Sequence, residues 1–378
     1  MKFIPSKLNS SYQYTLTIII PVGSYSNYLK FTLDNLSNVI DSRVEILLLD
    51  NTFSSYSSLE IPLEMKNFRV ERSQKRLSMS KNFFRGLNLA SGTWLCFMGE
   101  DDGIITKNLT QLLDSLESVT TDVVSTHPVY FQYPIGTKGA WADIPEKDTF
   151  FWKKRIKYHP ALAVLFPQFK LDLPVPYNRC VVRTSVLQDY TKNFDDLIGI
   201  SHDDFLAQYI AQKCRVGTYL ELPVFIHGGS DRSQGFNQHS TSPAQISLEF
   251  QNDSKPKMGF LLTKFGISCS FSLAFEHYLK AKMARQNRSN FSYHEVILSK
   301  FFSFYAEIFC ANTAHHNQYK ALVLFRKISS PLHNYSYRLI RKFFRLLYFR
   351  SIQPTKNYKV LLPSSMTIDK FAETFPAI

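Results

Sequence analysis

Three apolar runs in the first hundred residues constrain the fold most. They occupy positions 15–22, 45–50 and 93–98, and each is apolar on successive residues rather than on alternate ones. A strand with apolar side chains on both faces has to be buried on both faces, which is typical of a parallel sheet covered by helices. Segments with helical periodicity separate the runs. The pattern therefore predicts an α/β fold with a mostly parallel sheet sandwiched by helices.

The predicted elements alternate along the first part of the chain and become irregular later. Helix caps are expected at Asn27, Ser80 and Thr106, since short polar side chains favour that position. Prolines from position 127 onward predict long loops, followed by a helix over 203–212 and a strand over 219–226. The other expected strands are 68–71 and 122–126, and further helices are expected at 257–264, 270–285, 292–311 and 336–350.

The composition narrows the partners and the compartment. A net charge of +13 over 378 residues favours a polyanionic partner, either phosphate, nucleic acid or an anionic membrane face. No nucleic-acid-binding motif accompanies that charge, so nucleic acid ranks last. No apolar run is long enough to span a membrane, which predicts a soluble or peripheral protein. The five cysteines are scattered along the chain, which predicts reduced thiols in a cytosolic protein. They are Cys96, Cys180, Cys214, Cys269 and Cys310.

Carboxylates follow two of the predicted buried strands. Asp50 ends the run 45–50, and Glu100, Asp101 and Asp102 follow the run 93–98. The carboxyl ends of parallel strands meet at one edge of a sheet, where ligands bind in such folds. Oxygen ligands of this kind suit Mg²⁺ or Mn²⁺. The alternative is an acidic turn that caps the next helix.

Four motifs in this order resemble the family 2 glycosyltransferases with the GT-A fold, a Rossmann-like sheet. They are Thr17–Pro21, Glu45–Asn51, Lys75–Asn82 and Met98–Gly103, and the third is similar to a bacterial subgroup that builds O-antigen and capsule. The resemblance implies a GT-A domain at 14–240, with a nucleotide-binding half at 14–126 and an acceptor half at 127–240. An N-terminal lead at 1–13, a helical C-terminal region at 241–350 and a tail at 351–378 complete the predicted organisation.

The resemblance implies an activity and a cofactor. The expected reaction moves a sugar from a nucleotide-diphosphate sugar to a glycan or lipid-linked acceptor in surface polysaccharide synthesis, with inversion and with Mn²⁺ or Mg²⁺. Asp102 would bind the metal directly, and Asp101 would hold the ribose or a metal-bound water. Two departures stand out: Gly99 occupies the place of a family carboxylate, and Val22-Gly23-Ser24-Tyr25 replaces the usual sequence after Pro21.

Further donor contacts also come from the resemblance. Asp50 would accept a hydrogen bond from the donor base, or alternatively cap the loop with Asn51. Arg76 would reach the diphosphate or order its loop, with a solvated basic surface as the alternative, and Asn82 would bind the donor or cap a helix. The implied nucleotide-sugar-binding set is Pro21, Val22, Asp50, Arg76, Asn82 and Asp101.

The acceptor half is expected to supply the base that deprotonates the acceptor hydroxyl. Asp204 is the first choice for this base and Asp203 the second, with N-capping by Asp203 as the structural alternative. His227 would lie near the metal or the diphosphate, although a lone histidine is more often structural.

The segment 336–350 has a basic face beside an aromatic one. This pattern suits an interfacial helix on anionic lipid at the inner face of the plasma membrane, and equally a helix packed on its own domain. The competing function for the whole chain is a degenerate GT-A domain that binds nucleotide sugars or assembles with partners without turnover.

Overall fold

The computed structural model describes residues 12–23, 25–52, 67–134, 139–145, 153–160, 173–193, 202–231, 278–279, 281–286, 294 and 357–375. The strands are β1 (Tyr14–Val22), β2 (Val44–Asp50), β3 (Phe68–Arg72), β4 (Gly92–Phe97), β5 (Gly103–Ile104), β6 (Val123–Gln132), β7 (Trp141–Pro145), β8 (Lys153–Lys157), β9 (Cys180–Arg183), β10 (Val216–Gly229) and β11 (Asn357–Leu361). The helices are α1 (Asn27–Ser37), α2 (Met79–Leu89), α3 (Thr106–Ser118), α4 (Thr184–Asn193), α5 (His202–Cys214) and α6 (Ile368–Thr374).

These strands form one sheet whose core is parallel. Its main path runs β11-β7-β6-β9-β4-β1-β2-β3, with β10 beside β5, β6 and β8. Strand β1 pairs in parallel with both β2 and β4, and β2 pairs in parallel with β3. Strand β9 pairs antiparallel with β4 and β6, and the edge strands β7 and β11 are also antiparallel. The predicted α/β architecture with a parallel central sheet is confirmed.

Successive residues of the central strands supply two separate cores. Ile18 and Ile20 pack with α1 and α3 on one face, whereas Ile19 packs with α2, α4 and α5 on the other. In the same way, Leu48 belongs to the first core and Leu47 to the second. This two-sided burial explains why these strands are apolar on successive residues.

All three predicted helix caps are wrong by one or two residues. The backbone of Ser26 is extended, and its hydroxyl accepts from the Leu29 N–H at 3.2 Å, so Ser26 rather than Asn27 caps α1. Ser78 rather than Ser80 caps α2, accepting from the Lys81 N–H at 3.3 Å. Thr106 is the first residue of α3 and not its cap. A serine one or two residues earlier can reach the same free N–H groups, so cap positions are hard to predict from composition.

The loops predicted from position 127 are also wrong, because β6 continues to Gln132 and β7 and β8 follow it. Proline lacks an N–H donor and normally ends an internal strand. Here the pairing of β6 with β10 shifts its register on both sides of Pro223, which pairs with His127. An irregularity of this kind tolerates missing donors within a sheet.

The tail has no clear sequence pattern, and part of it extends the sheet. Strand β11 pairs with β7, and α6 packs against α1. Ile368 of α6 lies against Gly103, and with Phe371 it joins a small core that includes Ile105 and Val129.

Several predictions lie wholly or partly outside the described residues. Residues 278, 279 and 281–285 are helical and agree with the end of the expected helix 270–285. The helices at 257–264 and 336–350 and most of 292–311 lie outside the described ranges, as do most of the N-terminal lead, Cys269 and Cys310. Cys96, Cys180 and Cys214 are free thiols, as expected. Within the described ranges, none of the helices is long and apolar enough to cross a membrane.

Candidate active site

The acidic turn 98–103 follows β4, and Asp102 is its anchor. The Asp102 side chain is fully buried. Its Oδ2 accepts hydrogen bonds from the Gly99 N–H and from Nδ2 of Asn178. Its Oδ1 accepts from the Gly228 N–H at 2.8 Å. The carboxylate therefore joins three segments: its own turn, the loop before β9 and the end of β10.

Buried polar residues of α1 fix the backbone of the same turn. The Thr32 hydroxyl lies 2.7 Å from the Asp102 carbonyl oxygen and donates to it. The Asn35 side chain donates to the Ile104 carbonyl at 3.0 Å and accepts from the Ile104 N–H at 2.7 Å. A buried amide that satisfies both backbone groups of one residue holds that residue in a single position. Helix α1 thus positions the turn before any ligand binds.

Two glycines permit the close packing around Asp102. A Cβ at Gly99 would lie 2.5 Å from the Tyr177 hydroxyl and 2.6 Å from Asp102 Oδ2. A Cβ at Gly228 would overlap the carbonyl oxygen of Asp101. The departure from the family motif at Gly99 therefore has a structural cause, because Tyr177 fills the space that a carboxylate would need.

The electrostatics of the turn oppose ionisation of Asp102. Burial, and next the charge of Asp101, raise the pKa of Asp102 to about 8, although its three N–H donors act in the other direction. Asp101 is half-buried and accepts from the Ser230 hydroxyl at 2.7 Å. Asp101 is thus the more accessible of the two predicted metal ligands. Both carboxylate oxygens of Asp102 already accept N–H hydrogen bonds, so a metal bound directly to Asp102 would have to share one of them.

Asn178 is a site residue that the sequence did not suggest. It is fully buried with a left-handed φ of 55°, and Nδ2 lies 3.2 Å from His227 Nδ1 as well as bonding Asp102. Its Oδ1 is buried and accepts no hydrogen bond from the described residues. Asparagine tolerates this backbone conformation better than most residues, and that tolerance is the only signal in the sequence that points to it.

His227 lies at the rim of the site. Its side chain is 41% exposed, and Nδ1 lies 3.7 Å from Asp102 Oδ1. Burial, and next the charge of Arg179, lower the pKa of His227, against the opposing effects of Asp101 and Asp203. A neutral imidazole that accepts from Asn178 through Nδ1 carries its proton on Nε2. It therefore offers a hydrogen-bond donor to the cleft.

The rim beside His227 carries a cation. Arg179 is exposed, donates to the Tyr130 hydroxyl and lies with its guanidinium 5.5 Å from the centre of the Tyr130 ring. The Tyr130 ring in turn meets the His227 ring edge to face, with centroids 5.6 Å apart. The three side chains form an ordered row next to the acidic turn.

The structure separates the two base candidates at the start of α5. Asp203 is half-buried. Its charge opposes the lowering of the His227 pKa by burial and by Arg179, and it adds to the raising of the Tyr177 pKa, which is due first to burial. Asp204 is exposed. The structure thus brings Asp203 within electrostatic range of His227 and Tyr177.

Asp50 lies at the same edge of the sheet, at the end of β2. It accepts from the Tyr25 hydroxyl at 2.7 Å and from the N–H and hydroxyl of Thr52 at 3.0 and 2.8 Å, and Arg72 Nε lies 3.3 Å away. Burial acts to raise the pKa of Asp50, but these donors and the Arg72 charge outweigh it and lower the pKa. Sequence reasoning missed Tyr25, which lies in the segment that departs from the family.

The other predicted donor contacts differ in exposure. Asn51 holds the loop before α2, because its Oδ1 accepts from the Leu77 N–H at 2.7 Å and its Nδ2 donates to the Leu77 carbonyl at 2.9 Å. Arg76, next to Leu77, is exposed. Asn82 is buried and lies 3.4 Å from the Leu49 carbonyl, a contact that ties α2 to β2. Pro21 is half-buried and the Val22 side chain is buried.

Metal-binding potential is limited to a few groups. In the part of the chain that the structure describes, no three His, Cys, Asp or Glu side chains are grouped as a metal site would need. Mg²⁺-type cations in nucleotide sites are commonly held by one or two carboxylates together with substrate phosphates. The half-buried Asp101 carboxylate fits that mode.

Residues 17–164 match the family model described as Glycosyl transferase family 2. The match covers less than half of the chain, and it contains most of β1, all of β2 to β8, Asp50 and the acidic turn. This part of the chain is a glycosyltransferase domain, and the protein is a glycosyltransferase. No curated protein matches the chain.

Solved structures of Staphylococcus aureus TarS are similar to this chain at low identity. TarS 1–349 in complex with UDP has a TM-score of 0.43 and 14% identity, covering 77% of this chain and 91% of TarS 1–349. TarS 1–349 in complex with UDP-GlcNAc has a TM-score of 0.41 and 14% identity, covering 77% of this chain and 92% of the other.

Proposed function

We propose that the protein is a metal-dependent, inverting glycosyltransferase that moves a sugar from a nucleotide-diphosphate sugar to a glycan or lipid-linked acceptor in surface polysaccharide synthesis. One observation carries the proposal. Carboxylates from two different parallel strands, Asp50 after β2 and Asp101 after β4, lie at the carboxyl edge of the sheet within the segment that matches family 2. Nucleotides bind at that edge in open α/β sheets.

The donor base is assigned to Asp50 and Tyr25. The lowered pKa keeps Asp50 ionised at neutral pH, so it can accept an N–H from a nucleobase. Tyr25 donates to the same carboxylate, and the two side chains would form one end of the donor cleft. Pro21, Arg76 and Asn82 remain predicted contacts at this end.

Asp101 is the proposed ligand of Mn²⁺ or Mg²⁺, with Asp102 behind it. When bound, the cation would neutralise the departing diphosphate. Asp102 accepts three N–H hydrogen bonds and so holds the turn, in which Asp101 would face the cleft. The Nε2–H of His227 and the guanidinium of Arg179 are suited to phosphate oxygens, because both offer donors at the rim.

Asp203 is the proposed general base. Its half-buried carboxylate acts electrostatically on His227, whereas Asp204 is exposed. A base has to reach the acceptor hydroxyl beside the donor sugar. Of the two aspartates, Asp203 is the one that acts electrostatically on His227 at the rim of the site. Inversion requires the base on the face opposite the leaving diphosphate, and this part of the proposal rests on the family resemblance.

A thermal-shift screen of nucleoside diphosphates with and without Mn²⁺ tests the donor and metal assignments. We expect one base to raise the melting temperature only with the cation, and Asp101→Asn to lose the shift. A shift that is independent of Mn²⁺, or unchanged in Asp101→Asn, would contradict the metal assignment.

Sugar transfer from the identified donor tests the base. Asp203→Asn should lose most turnover while keeping the nucleotide-induced shift, and Asp204→Asn serves as the matched control. The opposite ranking would assign the base to Asp204.

The second candidate is a GT-A domain that binds nucleotide sugars without turnover. It is favoured by Gly99, where Tyr177 occupies the space of a family carboxylate. Nucleotide binding without hydrolysis or transfer, for any donor and acceptor tested, would identify this function. Peripheral association with the cytoplasmic face of the membrane through 336–350 is a separate proposal, tested by membrane fractionation of a chain lacking that segment.

A further inference from the structure

A cavity of about 300 Å³ lies at the end of α5 that is remote from the acidic turn. Helix α5 has 13 residues, so this end is roughly 18 Å from Asp203. We call the cavity the basic pocket and define it by Tyr158, His159, Pro160, Gln212, Arg215, Tyr278, Lys282 and Arg285. The volume lies at the lower end of the range for ligand pockets.

The charge of the basic pocket is one-sided. Arg215, Lys282 and Arg285 contribute three cationic groups, and among the described residues no aspartate or glutamate lines the cavity. Cations gathered around a concavity focus a positive potential on it and attract anions. Tyr278 and His159 also line the cavity and carry donors suited to an oxyanion.

The floor of the basic pocket is built from ordered, buried groups. The Tyr158 N–H donates to the Arg215 carbonyl at 2.8 Å, and the Tyr158 ring lies over Gly217, where a Cβ would overlap it. Gln212 is buried, and its Nε2 donates to the Tyr278 carbonyl at 3.0 Å. These bonds join the residue after β8, helix α5 and the helical residues 278, 279 and 281–285, so the basic pocket does not depend on one loop.

The backbone of Arg215 is a second, independent observation. Arg215 ends α5 with a left-handed φ of 55°, and its N–H donates to the Ala211 carbonyl at 3.1 Å. Glycine adopts this helix-ending conformation without strain, and a long side chain does not. Strained backbone of this kind is concentrated at functional sites. An arginine here places a guanidinium on the cavity at a conformational cost.

We propose that the basic pocket binds a phosphate group of a phosphate-bearing ligand, at a site separate from the donor cleft. Bidentate hydrogen bonds from arginine and the point charge of lysine are the common protein contacts of phosphate. The chemistry is the same for a small phosphate compound and for a phosphate within a polymeric acceptor. The site stands on the cavity and its cations, and not on the assignment of the donor cleft.

Calorimetric titration of the full chain with inorganic pyrophosphate in EDTA tests the proposal. EDTA removes divalent cations, which the proposed donor site needs. We expect saturable one-site binding that weakens with added salt, and at least about ten-fold weaker binding in Lys282→Gln/Arg285→Gln. Lys370→Gln, which removes an exposed cation on α6, should bind as the wild type does.

The result that would overturn the proposal is absence of pyrophosphate binding by the wild type, or equal binding by the double variant and the wild type. Melting curves of each variant, with unchanged midpoints expected for these partly exposed residues, show that the fold is kept. Repeating the titration with long-chain polyphosphate identifies the source: tighter binding of the chain indicates a polymeric ligand, and equal binding per site indicates a small phosphate compound.

Discussion

Replacing Asp102 with alanine should unfold the acidic turn before it affects chemistry. The substitution leaves three buried N–H donors without their acceptor, namely those of Gly99, Gly228 and Asn178. An unsatisfied buried donor costs about 1–3 kcal/mol, so the loss amounts to about 3–9 kcal/mol. A domain has a total stability of about 5–15 kcal/mol, so this change removes a large part of it.

The assay is urea unfolding followed by circular dichroism, with two graded comparisons. Asp102→Asn keeps one oxygen for Gly99 and Asn178 but turns an NH₂ group toward the Gly228 N–H, so its loss should be intermediate. Asp101→Asn removes one half-buried acceptor of the Ser230 hydroxyl and should change stability by under about 1 kcal/mol. An Asp102→Ala protein that unfolds at the wild-type urea concentration would refute the reasoning and favour Asp102 as a metal ligand free of structural duty.

Three further outcomes are expected. The pKa of Asp102 is about 8 in the folded protein and near 3.8 in the unfolded chain, so the free energy of unfolding should fall as pH rises between these values. In Asp101→Asn the repelling charge is gone, so the fall should end at a lower pH and be smaller in total. Urea midpoints with the same pH dependence in both proteins would contradict this. Tyr25→Phe should weaken nucleotide binding several-fold, with little change in turnover at saturation, since it removes one hydroxyl bonded to Asp50; an unchanged affinity in calorimetry would remove Tyr25 from the donor cleft. Asn178→Ala should lower the free energy of unfolding by about 1–3 kcal/mol. It should also raise the pKa of His227, because the donor that faces the His227 Nδ1 is lost. NMR titration of His227 measures this, and a curve identical to that of the wild type would contradict it.

The sequence predicted those parts of the fold that follow from local pattern. The runs that became β1, β2 and β4 were recognisable because both faces of each strand are buried, and Asp50 was placed at a strand end for that reason. Strand β6 was cut short because proline argues against an internal strand, and only the irregular pairing with β10 overrides that rule.

The surroundings of the acidic turn were not predictable in the same way. Asn178 and Gly228 reach Asp102 from segments far along the chain, and no periodicity or motif marks either of them. Their roles depend on backbone geometry, one through a left-handed φ and the other through the absence of a Cβ. Such requirements arise only when distant segments meet, so a single sequence does not display them.

The packing of α6 on the acidic turn bears on the order in which the protein assembles. Ile368 covers Gly103 from a position more than two hundred residues later in the chain. Contacts between residues so distant in sequence form slowly, and during synthesis the later partner is not yet present. The central strands can pair while the chain is still growing, whereas the turn that bears Asp101 and Asp102 stays uncovered until residues 357–375 have emerged. The nascent protein therefore pairs its central strands first and covers the acidic turn only after residues 357–375 have been made.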